Sequence, residues 1–226
     1  MRHKCTYCRL SFAKESTLIA HVCERKRRFQ QQHEIGVQWG FQSYLLFDST
    51  LKKAKTKTYE DFVNSNYYTA FVRFGRHCHS VYCINLASYT RWLLKNNIKL
   101  DNWCTDTNYN KWLLDYLSKE SVHDALERSI ETMNSYMLEH PEYRNGYRDY
   151  FRLVNENRIC YHISTGRLSV WAVYHCGSGQ DFLARLNPDQ VAMVIDYIDP
   201  DRWQSRFRDS SEDVAFSKQV LEAAGL

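Results

Sequence analysis

From position 58 onward, apolar residues recur at the three- and four-residue spacing of amphipathic helices. Phe71, Phe74, Cys78, Val81 and Tyr82 share one such face, and Tyr89, Trp92 and Leu93 lead into a corner at 100–103. Trp112, Leu113, Tyr116 and Leu117 form another stripe. A longer one, Ala125, Leu126, Ile130, Met133, Met137 and Leu138, stops before Pro141. Start and stop signals agree with these stripes. Thr58 with Asp61 is a capping-box pair, and Asn187-Pro188-Asp189-Gln190 combines a cap, a proline at the first helical position and a capping-box glutamine. Asp199-Pro200-Asp201 repeats the cap-and-proline pattern, Ser210 with Asp213 opens a last helix, and Gly225 closes it. Upstream, Ile35, Val37, Trp39, Phe41, Tyr44, Leu45 and Phe47 predict a helix buried on most sides, and 48–57 (DSTLKKAKTK) reads as a polar, basic loop.

Composition narrows the class. Gly (8) and Pro (3) are scarce in 226 residues, which excludes collagen-like, linker-dominated and turn-rich β chains. Mean hydropathy is −0.57 and no apolar run approaches the length of a membrane span, so no membrane partner is expected. No apolar segment follows the basic start Arg2-His3-Lys4, so an intracellular, reducing compartment is expected, and the eight cysteines read as thiols or metal ligands. Charge is uneven. In residues 1–28, eight basic residues against two acidic ones give +6, which leaves −2 on the other 198. A basic module of this kind is the footprint of a polyanion partner.

That segment carries Cys5-x2-Cys8-x12-His21-x-Cys23. Two cysteines three apart suit a tight turn between short strands, and His21 falls in the last turns of a following helix. Four N/S donors are what zinc takes in a tetrahedral site, and a unit this short needs the metal to fold. Phe12 and Leu18 are spaced as its small apolar core. Over residues 3–28 the pattern resembles the Cys2His2 zinc-finger family in three of four ligands and both core positions. The departure is the fourth ligand. The family places a histidine three to five residues after the first, where Glu24, Arg25 and Lys26 stand here. Cys23 is the expected fourth ligand, with His33 and His3 as alternates. Residues two apart do not face each other on a helix, so Cys23 requires the helix to loosen at Val22. The resemblance implies base-facing positions at Lys14, Thr17 and Ala20. Lys14 with Arg25, Lys26, Arg27 and Arg28 suits phosphate contacts, which position a protein on nucleic acid without specifying sequence.

Other constellations are weaker. His79 with Cys83, Cys160 with His162, and His175 with Cys176 are half-sites for a metal at most. Helix capping accounts for Asp199 and Asp201, Gly177-Ser178-Gly179 reads as an isolated loop, and no catalytic residue is assigned. The many tyrosines, including Tyr67, Tyr68, Tyr89, Tyr109, Tyr143 and Tyr150, read as core rings rather than a base-stacking surface.

The phrases at 54–62 (AKTKTYEDF), 90–103 (TRWLLKNNIKLDNW) and 198–203 (IDPDRW) resemble uncharacterised proteins of T4-like tailed phages. That resemblance implies a setting, the cytoplasm of an infected host, and no activity. The expected architecture is mainly α: a small ββα zinc finger at 1–28, a transition with one helix at 29–57, and an α-helical domain at 58–226. The expected function is a zinc-binding, non-enzymatic accessory protein associated with nucleic acid, DNA ahead of RNA. A zinc-finger adaptor docking on a host or partner protein is the alternative. An enzyme acting on nucleic acid through the helical domain is third.

Overall fold

The computed structural model describes residues 2–51, 57–140, 142 and 146–226. The chain is mainly α-helical, with one two-stranded antiparallel sheet at its N-terminus. It divides into two compact units, up to Tyr109 and from Asn110 onward, with the boundary inside one helix (α7, Asp106–Leu117).

The first unit opens with β1 (His3–Lys4) and β2 (Ser11–Phe12), paired His3 to Phe12 and Lys4 to Ser11. Two short helices follow, α1 (Glu15–Ala20) and α2 (Glu24–Gln30). The predicted buried helix is α3, Ile35–Thr50. It runs three residues into the loop expected at 48–57, and residues 52–56 of that loop lie outside the described residues. Helix α4 (Tyr59–Val63) starts at the Thr58 capping box, with Thr58 and Asp61 bonded reciprocally. Helices α5 (Tyr68–Ser80) and α6 (Leu86–Lys95) follow, then a short turn at Leu100–Asn102 and the start of α7.

Its core is aromatic. Trp103 lies 5.6 Å from Phe71 and 5.0 Å from Phe74, ring to ring, and its indole N–H donates to the Ile98 carbonyl at 2.9 Å. Helices α3 and α5 approach through glycines. A Cβ on Gly75 of α5 would sit 2.0 Å from the Gly36 carbonyl oxygen and 2.4 Å from the Gly40 nitrogen of α3. The predicted stripe on α5 ends at Cys78. Val81 caps the helix and Tyr82 turns left-handed (φ 53), half exposed, so that the Cys83 N–H reaches the Cys78 carbonyl at 2.9 Å. That helix stop moves Tyr82 off the apolar face the spacing gave it.

The second unit contains α8 (Val122–Glu139), α9 (Tyr150–Leu153), α10 (Glu156–Ser164), α11 (Val170–His175), α12 (Gly177–Ala184), α13 (Pro188–Ile198), α14 (Pro200–Asp209) and α15 (Ser211–Ala224). The predicted stop before Pro141 falls at Glu139, while Pro141 and Tyr143 lie outside the described residues. The caps at Asn187 and Asp199 form as read, and Gly225 takes the left-handed conformation that ends α15. Gly177-Ser178-Gly179 is not a loop. It opens α12, because the buried Cys176 sulfur accepts from the Gly179 N–H at 3.3 Å and acts as the cap. The buried Glu120 carboxylate here is paired. Glu120 takes both ends of the Arg128 guanidinium at 2.6 and 2.8 Å. Arg206 lies near the Trp171 and Trp203 rings and donates to the carbonyls of Leu117, Ser118 and Glu120.

His162, 1% exposed, pairs through Nδ1 with the Tyr150 hydroxyl at 2.5 Å. Burial, with Arg167 and Arg158 adding to it, pulls its pKa down to about 3. A histidine depressed in the folded state stabilises it fully above the unfolded value near 6.5, and that contribution declines as pH falls toward 3. At pH 5 the expected loss is about 2 kcal/mol, and His162→Gln should flatten it. Hydrogen exchange of the α10 amides between pH 7 and 5 reads this out; an unchanged pH dependence in the variant would contradict it.

Candidate metal centre

The sheet sets the first two donors. The Cys5 N–H bonds the Leu10 carbonyl and the Arg9 N–H returns to the Cys5 carbonyl, both at 2.9 Å. Arg9 closes this turn in the left-handed region (φ 62). The Cys8 backbone N–H acts on the Cys5 sulfur and holds that thiol below its ordinary range, against the opposing effect of burial. At Cys8 the Leu10 N–H acts in the same sense. Burial and the neighbouring Cys5 and Cys23 sulfurs outweigh it, so this thiol lies above its ordinary range. Three sulfurs gathered in this way favour a cation between them.

The other two donors depend on a helix break. Helix α1 stops at Ala20, and His21 (ψ 117) and Cys23 (ψ 160) are extended. The helix does not merely loosen at Val22; it ends, and a second one begins at Glu24. Cys23 is the cap of α2, its sulfur accepting from the Lys26 N–H at 3.4 Å. This break resolves the short His-x-Cys spacing.

The ligand atoms of Cys5, Cys8, His21 and Cys23 all lie within 4.8 Å of one another, with Cys8 Sγ 3.3 Å from His21 Nε2. A tetrahedral ion at ordinary bond lengths needs donor separations of about 3.6–3.8 Å, so the cluster fits one with small adjustments. The imidazole is steadied by the Phe12 ring at 4.7 Å, and the Lys26 ammonium donates to the His21 carbonyl at 3.4 Å. His33 pairs with Gln32 and His3 sits in the strand ladder, so neither alternate belongs to the cluster.

The basic residues separate into two groups. Lys14, at the start of α1, and Arg25 are exposed, and Lys26 is half-buried. Arg27 is 59% exposed and pairs with Glu24. Arg28 turns inward. It bonds the Val63 carbonyl at 2.6 Å and Glu24 at 3.2 Å, and covers the Tyr68 ring at 4.3 Å. The Tyr59 hydroxyl donates to the Arg28 carbonyl, and Phe29 packs between Tyr7 and Tyr59 at 5.3 and 5.8 Å. Helix α2 is therefore fixed to α4 and α5. Phe29, directly after the basic run, was the one sequence signal of this inward face.

The half-sites do not gather further ligands. His79 is exposed beside Trp39, and Cys83 is buried at the α5 stop. His175 bonds the Ser217 hydroxyl at 2.7 Å, but Ser217 is fully buried and also donates to the Val214 carbonyl, so the pair is structural. Among the described residues, the other cluster within ligand range is His123, Asp124 and Glu127, all exposed on α8. Of the tyrosines, Tyr68, Tyr89, Tyr109 and Tyr150 are buried while Tyr67 is partly open.

Fold and site define a mainly α-helical chain whose small N-terminal ββα-type unit gathers four side chains that could hold a metal ion. No family model matches the chain, and neither the curated proteins nor the solved structures give a match, so the phage resemblance rests on its three phrases alone.

Proposed function

We propose that this chain is a zinc-binding, non-enzymatic accessory protein that associates with nucleic acid through the finger. Three thiolates and an imidazole form a soft donor set, and a closed four-ligand site suits structural zinc. The observation that carries the nucleic-acid reading is the exposure of cations around that centre. Arg2, Lys4, Arg9, Lys14, Arg25 and Arg27 all face solvent within the first 28 residues. Phosphate contacts fall on Lys14, Arg25, Lys26 and Arg27, while Arg28 holds the finger to the body. Four such contacts give a slope of log affinity against log salt of about −3.6 on duplex DNA. Fluorescence anisotropy with labelled duplex DNA, single-stranded DNA and RNA across a salt series tests this. Salt-independent affinity, or none, would end the reading.

A specific feature favours adaptor function as a second reading. Leu10, Ile19 and Val22 of the finger are 57, 72 and 70% exposed, more apolar surface than phosphate contact needs. If docking on a protein is the role, Ile19→Ser with Val22→Ser should abolish a partner complex and leave nucleic-acid affinity unchanged.

A further inference from the structure

A cleft of about 340 Å³ lies between α2 and α5. Glu24, Arg27 and Gln31 line it from α2, and Thr69, Arg73 and Arg76 from α5, with the Tyr68 ring in its wall. Arg73 and Arg76 are three apart on α5 and Thr69 is one turn before Arg73, so their side chains share one helix face. Two carboxylates stand nearby, and neither consumes the guanidiniums whole. Arg76 gives Nε and Nη2 to Glu34, which leaves Nη1. Arg27 gives Nη2 to Glu24, which leaves Nε and Nη1. Arg73 approaches the Cys104 thiol, which burial keeps protonated and uncharged. With Arg28 over Tyr68, four guanidiniums face two carboxylates, a surplus of two positive charges.

Arg27 belongs both to this cleft and to the basic run of the finger, so the two share one cation. A ligand that serves both must carry anionic groups at repeated intervals, and guanidinium forks match phosphate oxygens. Resting on the nucleic-acid reading above, we infer that the α2–α5 cleft is a second phosphate site, where Arg27, Arg73 and Arg76 grip one strand's backbone. The finger and the first helical body then hold one continuous stretch of nucleic acid, with Thr69 and Gln31 supplying neutral donors at its edges.

Arg73 tests this, because it lies in the cleft and outside the finger. The experiment uses the full zinc-loaded chain with duplex DNA, single-stranded DNA and RNA of equal length. It compares Arg73→Ala and Arg73→Glu with Arg91→Ala, an equal charge change on exposed α6 outside the cleft. Unchanged zinc content and circular dichroism certify folding, and Arg73→Gln serves if Arg73→Ala is unstable. Arg73→Ala is expected to weaken binding about 3- to 10-fold and make the salt slope shallower by about 1. Arg73→Glu should weaken it further, and Arg91→Ala should leave the slope unchanged. The strand type that shows the largest loss identifies the source of the phosphate. Binding undiminished in both Arg73 variants, or an equal loss in Arg91→Ala, overturns the cleft and leaves the finger reading standing. Absence of binding by the unaltered chain overturns both.

Discussion

Gly75→Ala is expected to cost the first unit about 4 kcal/mol or more, beyond the usual range for an overpacked site. The new methyl carbon would sit 2.0 Å from the Gly36 carbonyl oxygen and 2.4 Å from the Gly40 nitrogen. Both are backbone atoms of α3, so no side-chain rotation relieves the clash and the helices must separate. Separation withdraws the support of the α3–α5 interface from Tyr44, Phe71 and Phe74, which are buried in that region. A total stability of 5–15 kcal/mol leaves little margin for such a loss. Gly40→Ala should act similarly, since its Cβ would meet the Phe71 carbonyl oxygen at 2.5 Å. Gly177→Ala is the matched contrast, with nothing within 4 Å of its Cβ. It should leave stability unchanged or raise it by up to about 1 kcal/mol. Urea denaturation followed by near-ultraviolet circular dichroism separates the three, and a Gly75→Ala chain as stable as the unaltered one would refute the packing argument.

The second large effect follows from the metal. Structural zinc in isolated finger peptides contributes about 10–16 kcal/mol of apparent binding free energy near pH 7. The segment from β1 to Cys23 has Cys5 as its only fully buried apolar residue. Chelation, or Cys8→Ala, should therefore disorder residues 2–23 and remove bound zinc. Cys23→Ala should do the same and also uncap α2, at a cost of about 0.5–2 kcal/mol for the cap alone. His33→Ala should retain one zinc per chain. Elemental analysis of these variants, with hydrogen exchange of the Leu10 and His21 amides, reads out both effects. Full zinc in Cys23→Ala would transfer the fourth position to another residue. Helices α3, α5 and α6 pack on one another without the metal and should persist.

The residues that decide these two effects differed in how openly the sequence announced them. Thr58, Asn187 and Asp199 are caps whose partners lie within three residues, so a local pattern suffices to find them. Cys5 and Cys8 are equally local. His21 and Cys23 were legible as donors, but the helix break that unites them was not. No breaker marks it, for no Gly or Pro stands near Val22. Gly36, Gly40 and Gly75 gave no warning either, since a close approach between helices is a property of two distant segments at once. Arg28 was misleading for the same reason. Inside a run of four cations it looked like its neighbours, and only Val63 and Tyr68, 35 and 40 residues away, distinguish it. Cys176 hid a helix start because sulfur is an uncommon cap, so the glycines after it read as a loop.

Helix α2 begins at Cys23, one of the four gathered donors, and ends wedged among Tyr59, Val63 and Tyr68. Mechanically it is a seven-residue strut clamped at both ends, with Arg27 on its span. Releasing the Cys23 end leaves the strut pivoting on Phe29 and Arg28, and the guanidinium of Arg27 swings with it. An ion held by Cys23 would therefore also set where Arg27 lies along the cleft.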